Sequence, residues 1–125
     1  LIKELKEKYG TSMILITHDL GVVAQTSDYV AVVYAGKIVE YGSREAVFLH
    51  RTHPYTIGLF NSLPDMNKDS PRLKSIEGTL PDPTDLPEGC AFHPRCPRTC
   101  ATCRTGEIPF DETEPGHFVR CINPR

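Results

Sequence analysis

Five cysteines fall within one 32-residue stretch, at Cys90, Cys96, Cys100, Cys103 and Cys121, with five, three, two and seventeen residues between neighbours. Thiolates are the ligands of zinc and iron–sulfur sites and the reactive groups of disulfide chemistry, so the stretch offers three chemistries. Disulfides suit an oxidising compartment, but the count is odd and the chain opens with no charged-then-apolar export signal. Zinc favours two close Cys pairs, and only Cys100/Cys103 and, more loosely, Cys96/Cys100 meet that spacing. An iron–sulfur cluster takes four thiolates from irregular loops, which the spacing also allows. All three stay open on the residues alone. His93 and His117 stand near enough in sequence to substitute as ligands, or are surface or outer-shell histidines. Arg95, Arg98 and Arg104 would offset thiolate charge, bond nearby backbone or form a solvated rim.

A second chemistry belongs to His18. It follows the apolar run Ser12-Met13-Ile14-Leu15-Ile16-Thr17. A neutral imidazole at a strand end can donate a hydrogen bond to a phosphate oxygen and accept another from water or backbone. An ordinary strand-end histidine satisfies the same pattern. Asp19 reads as a helix-start residue rather than a catalyst, because a carboxylate there complements the helix dipole.

These groups need elements to hold them. Leu1, Leu5 and Tyr9, with Ile2, share one face of an opening helix; Lys8 and Gly10 suit its end. That helix has a stop signal and no start signal, which predicts a piece of a longer chain. The continuous apolar run at 12–17 predicts a strand buried on both faces, as in a parallel sheet covered by helices. A short helix follows from about Gly21 to Thr26. A strand over 28–34, a turn at Ala35-Gly36-Lys37 and a returning strand over 38–41 then form an antiparallel hairpin. Ser43 is expected to N-cap a helix to about His50. Pro54 opens another, with Thr56 and Asn61 facing out and Ile57, Leu59, Phe60 and Leu63 available for packing. Tyr29, Tyr34 and Tyr41 are expected to pack within strands.

Composition narrows the function classes. The 125 residues make one domain or one domain with an appendix. Fourteen Lys/Arg against sixteen Asp/Glu leave a net charge of −2, which argues against a dedicated nucleic-acid binder. No apolar run approaches the roughly 20 residues that span a bilayer. Ten of the eleven prolines lie at Pro64 or later, and all the cysteines lie there too. The chain therefore divides into a periodic part, 1–63, and a loop-rich part, 64–125, that needs a staple to fold.

Ser12 to Ala24, Ser-Met-Ile-Leu-Ile-Thr-His-Asp-Leu-Gly-Val-Val-Ala, followed by Val32 to Gly42, Val-Val-Tyr-Ala-Gly-Lys-Ile-Val-Glu-Tyr-Gly, resembles the end of an ABC-transporter ATPase domain. His53-Pro54-Tyr55-Thr56, Ser62-Leu63-Pro64, Ile76-Glu77-Gly78 and Gly89-Cys90-Ala91-Phe92-His93-Pro94-Arg95-Cys96-Pro97 resemble the C-terminal extension of oligopeptide and dipeptide importer ATPases. The resemblance covers essentially the whole chain. It implies an α/β fold, the C-terminal fragment of a P-loop NTPase domain over 1–63 followed by a cysteine-rich extension over 64–125. It implies that His18 is the switch histidine that contacts the γ-phosphate of ATP. It also implies that Cys90, Cys96, Cys103 and Cys121 hold a [4Fe-4S] cluster, with zinc as the alternative. Cys100 is extra to the family's pattern, a substitute for Cys103, a disulfide partner for it or a bystander. His53-Pro54-Tyr55-Thr56 is expected to set the entry to a helix, with Tyr55 buried.

The same resemblance implies ATP and Mg²⁺ as ligands of the full-length protein, a second ATPase subunit, two permease subunits and, indirectly, a substrate-binding protein. The implied location is peripheral, on the cytoplasmic face of the membrane, with no nucleic acid involved. This sequence contains no Gly-x-x-x-x-Gly-Lys-Ser/Thr phosphate loop, so the piece alone is expected to be inactive towards ATP. Nickel importers share the architecture. A stand-alone metal-binding interaction module and a small redox protein using Cys100 and Cys103 are the readings from other classes.

Overall fold

The computed structural model describes residues 1–63 and 75–124. The helices are α1 (Ile2–Tyr9), α2 (Leu20–Thr26), α3 (Arg44–Leu49) and α4 (Pro54–Asn61), and the strands are β1 (Tyr29–Tyr34), β2 (Lys37–Ser43), β3 (Asp111–Glu114) and β4 (His117–Val119). The boundary expected between 63 and 64, with Pro64 of the family resemblance, adjoins residues 64–74, which lie outside the described residues.

The local signals form as the sequence predicts. Gly10 ends α1 at φ 59°, a left-handed cap that costs glycine little. Asp19 caps α2, its carboxylate accepting from the Gly21 and Val22 amides at 2.9 and 3.3 Å. The Ser43 hydroxyl accepts from Ala46 N–H at 3.1 Å and starts α3. Pro54 occupies the first turn of α4, where a missing N–H costs nothing. Ala35 and Gly36, at φ 49° and 80°, make the two-residue turn whose twist matches a hairpin.

The sheet runs β1-β2-β4-β3, and every pair is antiparallel. The expected parallel sheet is thus corrected to an antiparallel one. Residues 12–17 form no strand; Ile14 and Ile16 are 94% exposed. A strand exists only beside a partner that takes its N–H and C=O groups. The four described strands pair with one another, so this apolar run stays in solvent.

β1 alternates, turning Val30, Val32 and Tyr34 inward. A bulge between Val32 and Val33 breaks the alternation of β2, so that neighbouring Val39 and Glu40 are both buried. Val47 and Phe92 complete the buried cluster with these valines and Tyr34, and Val23, Phe48, Tyr55, Leu59 and Ile76 pack around it. Phe92, 2% exposed, comes from the cysteine-rich stretch and packs edge-on against Tyr34 and Tyr55, with centroids 5.2 and 5.4 Å away. β4 adds two residues of pairing to β2. The proline-rich part is therefore fastened by an aromatic plug and by sheet, beyond any metal.

One facing prediction needs correction. Thr56 is fully buried rather than facing out, because α4 lies with Pro54 and Thr56 turned inward. The three strand tyrosines pack within β1 and β2 as expected: Tyr29 is exposed and stacks on Tyr41, 6.1 Å between centroids, and Tyr34 is buried. Asn61 faces out as expected.

Candidate functional site

The cysteines are carried by two tight turns and the end of β4. His93–Arg95 and Ala101–Arg104 are 3₁₀ turns. His93 N–H bonds Cys90 C=O at 3.0 Å, and Cys96 N–H closes on His93 C=O at 3.3 Å. Cys103 N–H closes the second turn on Cys100 C=O at 3.1 Å. The two segments are tied by Cys90 N–H donating to Cys103 C=O at 2.8 Å. Gly89 allows that approach: its φ is +75°, and a Cβ there would sit 2.4 Å from the Cys103 carbonyl oxygen.

This arrangement brings Cys90, Cys96, Cys103 and Cys121 to the wall of one pocket, with His53 and Phe92 beside them. Cys100 is not in that wall; its sulfur lies 3.0 Å from the Cys103 sulfur and 3.1 Å from the Thr102 hydroxyl. Burial pushes the Cys121 thiol up to about 11, and charge on Cys90, Cys96 and Cys103 adds to the rise. Burial likewise raises Cys96, against the opposing Arg98 N–H, and raises Cys103. Cys100 moves the other way, to about 7, because the Thr102 hydroxyl and then Cys103 donate towards its sulfur. The pocket thus penalises several thiolates together unless a cation neutralises them.

As a donor set, four thiols around one pocket suit a thiophilic metal or cluster. A single zinc ion, at Zn–S of about 2.3 Å, draws its sulfurs to within roughly 4 Å of one another. Among the described residues, no three His, Cys, Asp or Glu side chains converge in that way. The chemistry of the wall therefore fits a sulfur-ligated group, while its spacing is not that of a closed single-ion site.

The remaining sequence candidates separate. His93 is half-buried at the pocket wall. His117 is neither a pocket ligand nor a surface histidine: it is buried with Nε2 2.7 Å from Glu40 Oε2. Arg95 bonds backbone, its guanidinium donating to Glu77 C=O at 3.0 Å and Ile76 C=O at 3.3 Å, and it reaches the Tyr34 hydroxyl at 3.3 Å. Arg98 donates to Asn123 C=O at 3.4 Å beside Cys121. His18 sits exposed in the bend before α2, away from any strand end, because residues 12–17 are unpaired.

The sequence reading missed a buried polar cluster. Glu40 is fully buried and accepts from the Thr52 and His53 amides at 3.2 and 2.8 Å, besides its contact with His117. His53 Nδ1 accepts from Tyr55 N–H at 3.0 Å and so caps α4. Burial lowers the His53 imidazole to about 4. A carboxylate between Val39 and Tyr41 in a strand was the available signal, but its partner lies 77 residues away.

The profile of the family described as the oligopeptide/dipeptide transporter, C-terminal region, matches residues 39–103, from Val39 of β2 through the second cysteine turn. The chain belongs to this family. The matched span holds Glu40, His53, Phe92 and Cys90 to Cys103, and ends before His117 and Cys121. Across 122 residues the chain is 43% identical to the oligopeptide transport ATP-binding protein AppD of Bacillus subtilis, covering 98% of this chain and 37% of that protein. It is 42% identical over 124 residues to the oligopeptide transport ATP-binding protein OppD of Salmonella typhimurium, covering 99% and 37%. It is 46% identical over 120 residues to the dipeptide transport ATP-binding protein DppD of Bacillus subtilis, covering 96% and 34%. The chain thus spans about a third of the length of the curated relatives it matches. No helix among the described residues is long and apolar enough to cross a membrane.

Proposed function

We propose that this chain is the C-terminal part of the ATP-binding subunit of an ABC importer for oligopeptides or dipeptides. The supporting observation is identity above 40% over nearly the whole chain to proteins named as oligopeptide and dipeptide transport ATP-binding proteins. In that assembly residues 1–63 complete the ATPase domain and 64–125 form its extension. The subunit pairs with a second ATPase subunit and docks on two permease subunits at the cytoplasmic face of the membrane, and a substrate-binding protein delivers the peptide. ATP and Mg²⁺ are ligands of the full-length subunit only. Residues 12–17 pair there with a neighbouring strand, which buries Ile14 and Ile16 and brings His18 to a strand end. From that position its imidazole donates to the γ-phosphate of ATP and stabilises the charge that develops on transfer. Peptide rather than nickel is the cargo, following the relatives' names.

Within the extension, Cys90, Cys96, Cys103 and Cys121 hold a [4Fe-4S] cluster. When bound, the cluster supplies cross-linking rather than electron transfer, tying the two turns to the end of β4. The chain's own part is to present four cysteines to one pocket, which Phe92 and Ile108 also line.

A chimera tests the transport reading. The last third of Bacillus subtilis AppD is replaced by this chain, and ATP-dependent uptake of a labelled oligopeptide is measured in cells lacking native AppD. Uptake is expected, with a loss of at least about tenfold in His18→Ala at unchanged protein level. A well-expressed chimera without uptake, or full uptake in His18→Ala, refutes the corresponding claim. Iron and acid-labile sulfide analysis after anaerobic purification tests the cluster, with stoichiometric zinc alone as the refuting result.

A further inference from the structure

Cys100 stands outside the pocket wall, yet its sulfur is 3.0 Å from that of Cys103, which stands inside it. The local backbone sets this pair up. Cys103 N–H closes on Cys100 C=O at 3.1 Å, with Cys100 in extended backbone immediately before the Ala101–Arg104 turn. Cys100 is half-buried and Cys103 buried, so one thiol of the pair meets solvent and the other does not. The Cys103 backbone is pinned by the Cys90 amide and by the close approach of Gly89. Bringing the sulfurs to the roughly 2.05 Å of a disulfide therefore asks for about 1 Å of side-chain motion and little of the backbone.

We propose that Cys100 and Cys103 are a reversible dithiol–disulfide pair, oxidised by exchange with a small-molecule disulfide, and that closing the bond withdraws Cys103 from the four-cysteine pocket. The Cys100 thiolate attacks one sulfur of the disulfide RSSR and expels RS⁻, which takes up the proton Cys100 has given to solvent. Cys103, losing its proton, then attacks the Cys100 sulfur of the mixed disulfide and expels the second RS⁻, which is protonated to RSH. The two protein thiols lose two electrons, and one RSSR is reduced to two RSH. A thiol in excess reverses both steps. The withdrawal of Cys103 matters only if the pocket holds a sulfur-ligated group, so that clause rests on the cluster reading above; the dithiol itself does not.

Trypsin cuts after Arg98 and Arg104, so Cys100 and Cys103 leave in one peptide, 99–104, and the other three cysteines leave in others. The full chain, reduced and stripped of metal, is equilibrated with oxidised and reduced glutathione, quenched in acid, alkylated and mapped by mass. Peptide 99–104 is expected unalkylated and two hydrogens lighter, while Cys90, Cys96 and Cys121 are alkylated. In Cys100→Ser, Cys103 is expected to be alkylated too. Linkage of Cys103 to Cys90, Cys96 or Cys121 in its place, or glutathione held on Cys100 beside a free Cys103, overturns the proposal. In a second arm, anaerobically purified chain is treated with oxidised glutathione and iron release is followed. Release about tenfold or more faster from the natural sequence than from Cys100→Ser is expected, and equal rates overturn the coupling. A preparation without iron in which peptide 99–104 still cross-links refutes the cluster reading and leaves the dithiol standing.

Discussion

Phe92→Ala tests whether the proline-rich part is held by packing or by metal alone. Phe92 is 2% exposed and touches the rings of Tyr34 and Tyr55, with His53 at 6.0 Å. An aromatic side chain buries about 150–250 Å². At about 25 cal/mol per Å², its removal from water stabilises the fold by roughly 4–6 kcal/mol, of which an alanine keeps a part. The cavity left behind adds to the loss, and measured Phe→Ala costs of about 3–5 kcal/mol bracket the result. Domains of this size have only about 5–15 kcal/mol in total, so the variant should stand near the edge of folding. The assay is urea unfolding of the metal-free chain followed by circular dichroism, with the natural sequence and Phe92→Leu alongside. With a slope of about 1.5 kcal/mol/M, the Phe92→Ala midpoint should fall by roughly 2–3 M, and that of Phe92→Leu by less than half as much. A loss below about 1 kcal/mol in the metal-free chain would refute the reasoning, because the plug would then carry no weight without metal.

Three further outcomes follow from the polar cluster and the tight turn. Glu40→Ala leaves the Thr52 and His53 amides and His117 without their acceptor and should cost about 3–5 kcal/mol, against about 1–3 for Glu40→Gln, read as urea midpoints. Gly89→Ala combines a φ of +75° with a Cβ 2.4 Å from the Cys103 oxygen, so it should cost well over the roughly 1 kcal/mol expected for Gly36→Ala, whose surroundings are open. His53, at about 4 in the fold against 6.5 in the unfolded chain, leaves the unfolded state binding more protons between those values. Stability of the metal-free chain should be full above pH 6.5, fall by up to about 1.4 kcal/mol per pH unit towards pH 4 and then level off in this component. His53→Asn, which keeps a capping acceptor, should flatten that slope; an unchanged slope refutes the assignment to His53.

Much of the scaffold was legible because it rests on contacts within a few residues. Asp19, Ser43 and Pro54 start helices through bonds or ring geometry local to the first turn, and Gly10 ends one through its own φ. The Ala35-Gly36 turn fixes the hairpin register in the same way. The cysteine spacing pointed to one site; Cys90, Cys96, Cys103 and Cys121 line one pocket, but among the described residues no three side chains converge as metal ligands. What misled was hydrophobicity taken as burial. Residues 12–17 have the pattern of a central strand, yet a pattern supplies no partner, and the partner decides. β3, with Asp111, Glu112 and Glu114 and no buried residue, gave no apolar signal and forms because β4 lies beside it.

The amino-acid order, read along the chain, determined the caps, the hairpin, the proline-set entry to α4, the division in composition and the gathering of thiols in one stretch. Each of these depends on energies between residues a few positions apart, which spacing encodes directly. The tertiary structure alone decided that Phe92 plugs a core made mostly of earlier residues, that Thr56 turns inward, that Glu40 meets His117 and that Cys100 stands just outside the pocket its neighbours line. Those outcomes turn on which surfaces lose water to one another. That depends on the packing of the whole chain in space, which no local pattern specifies.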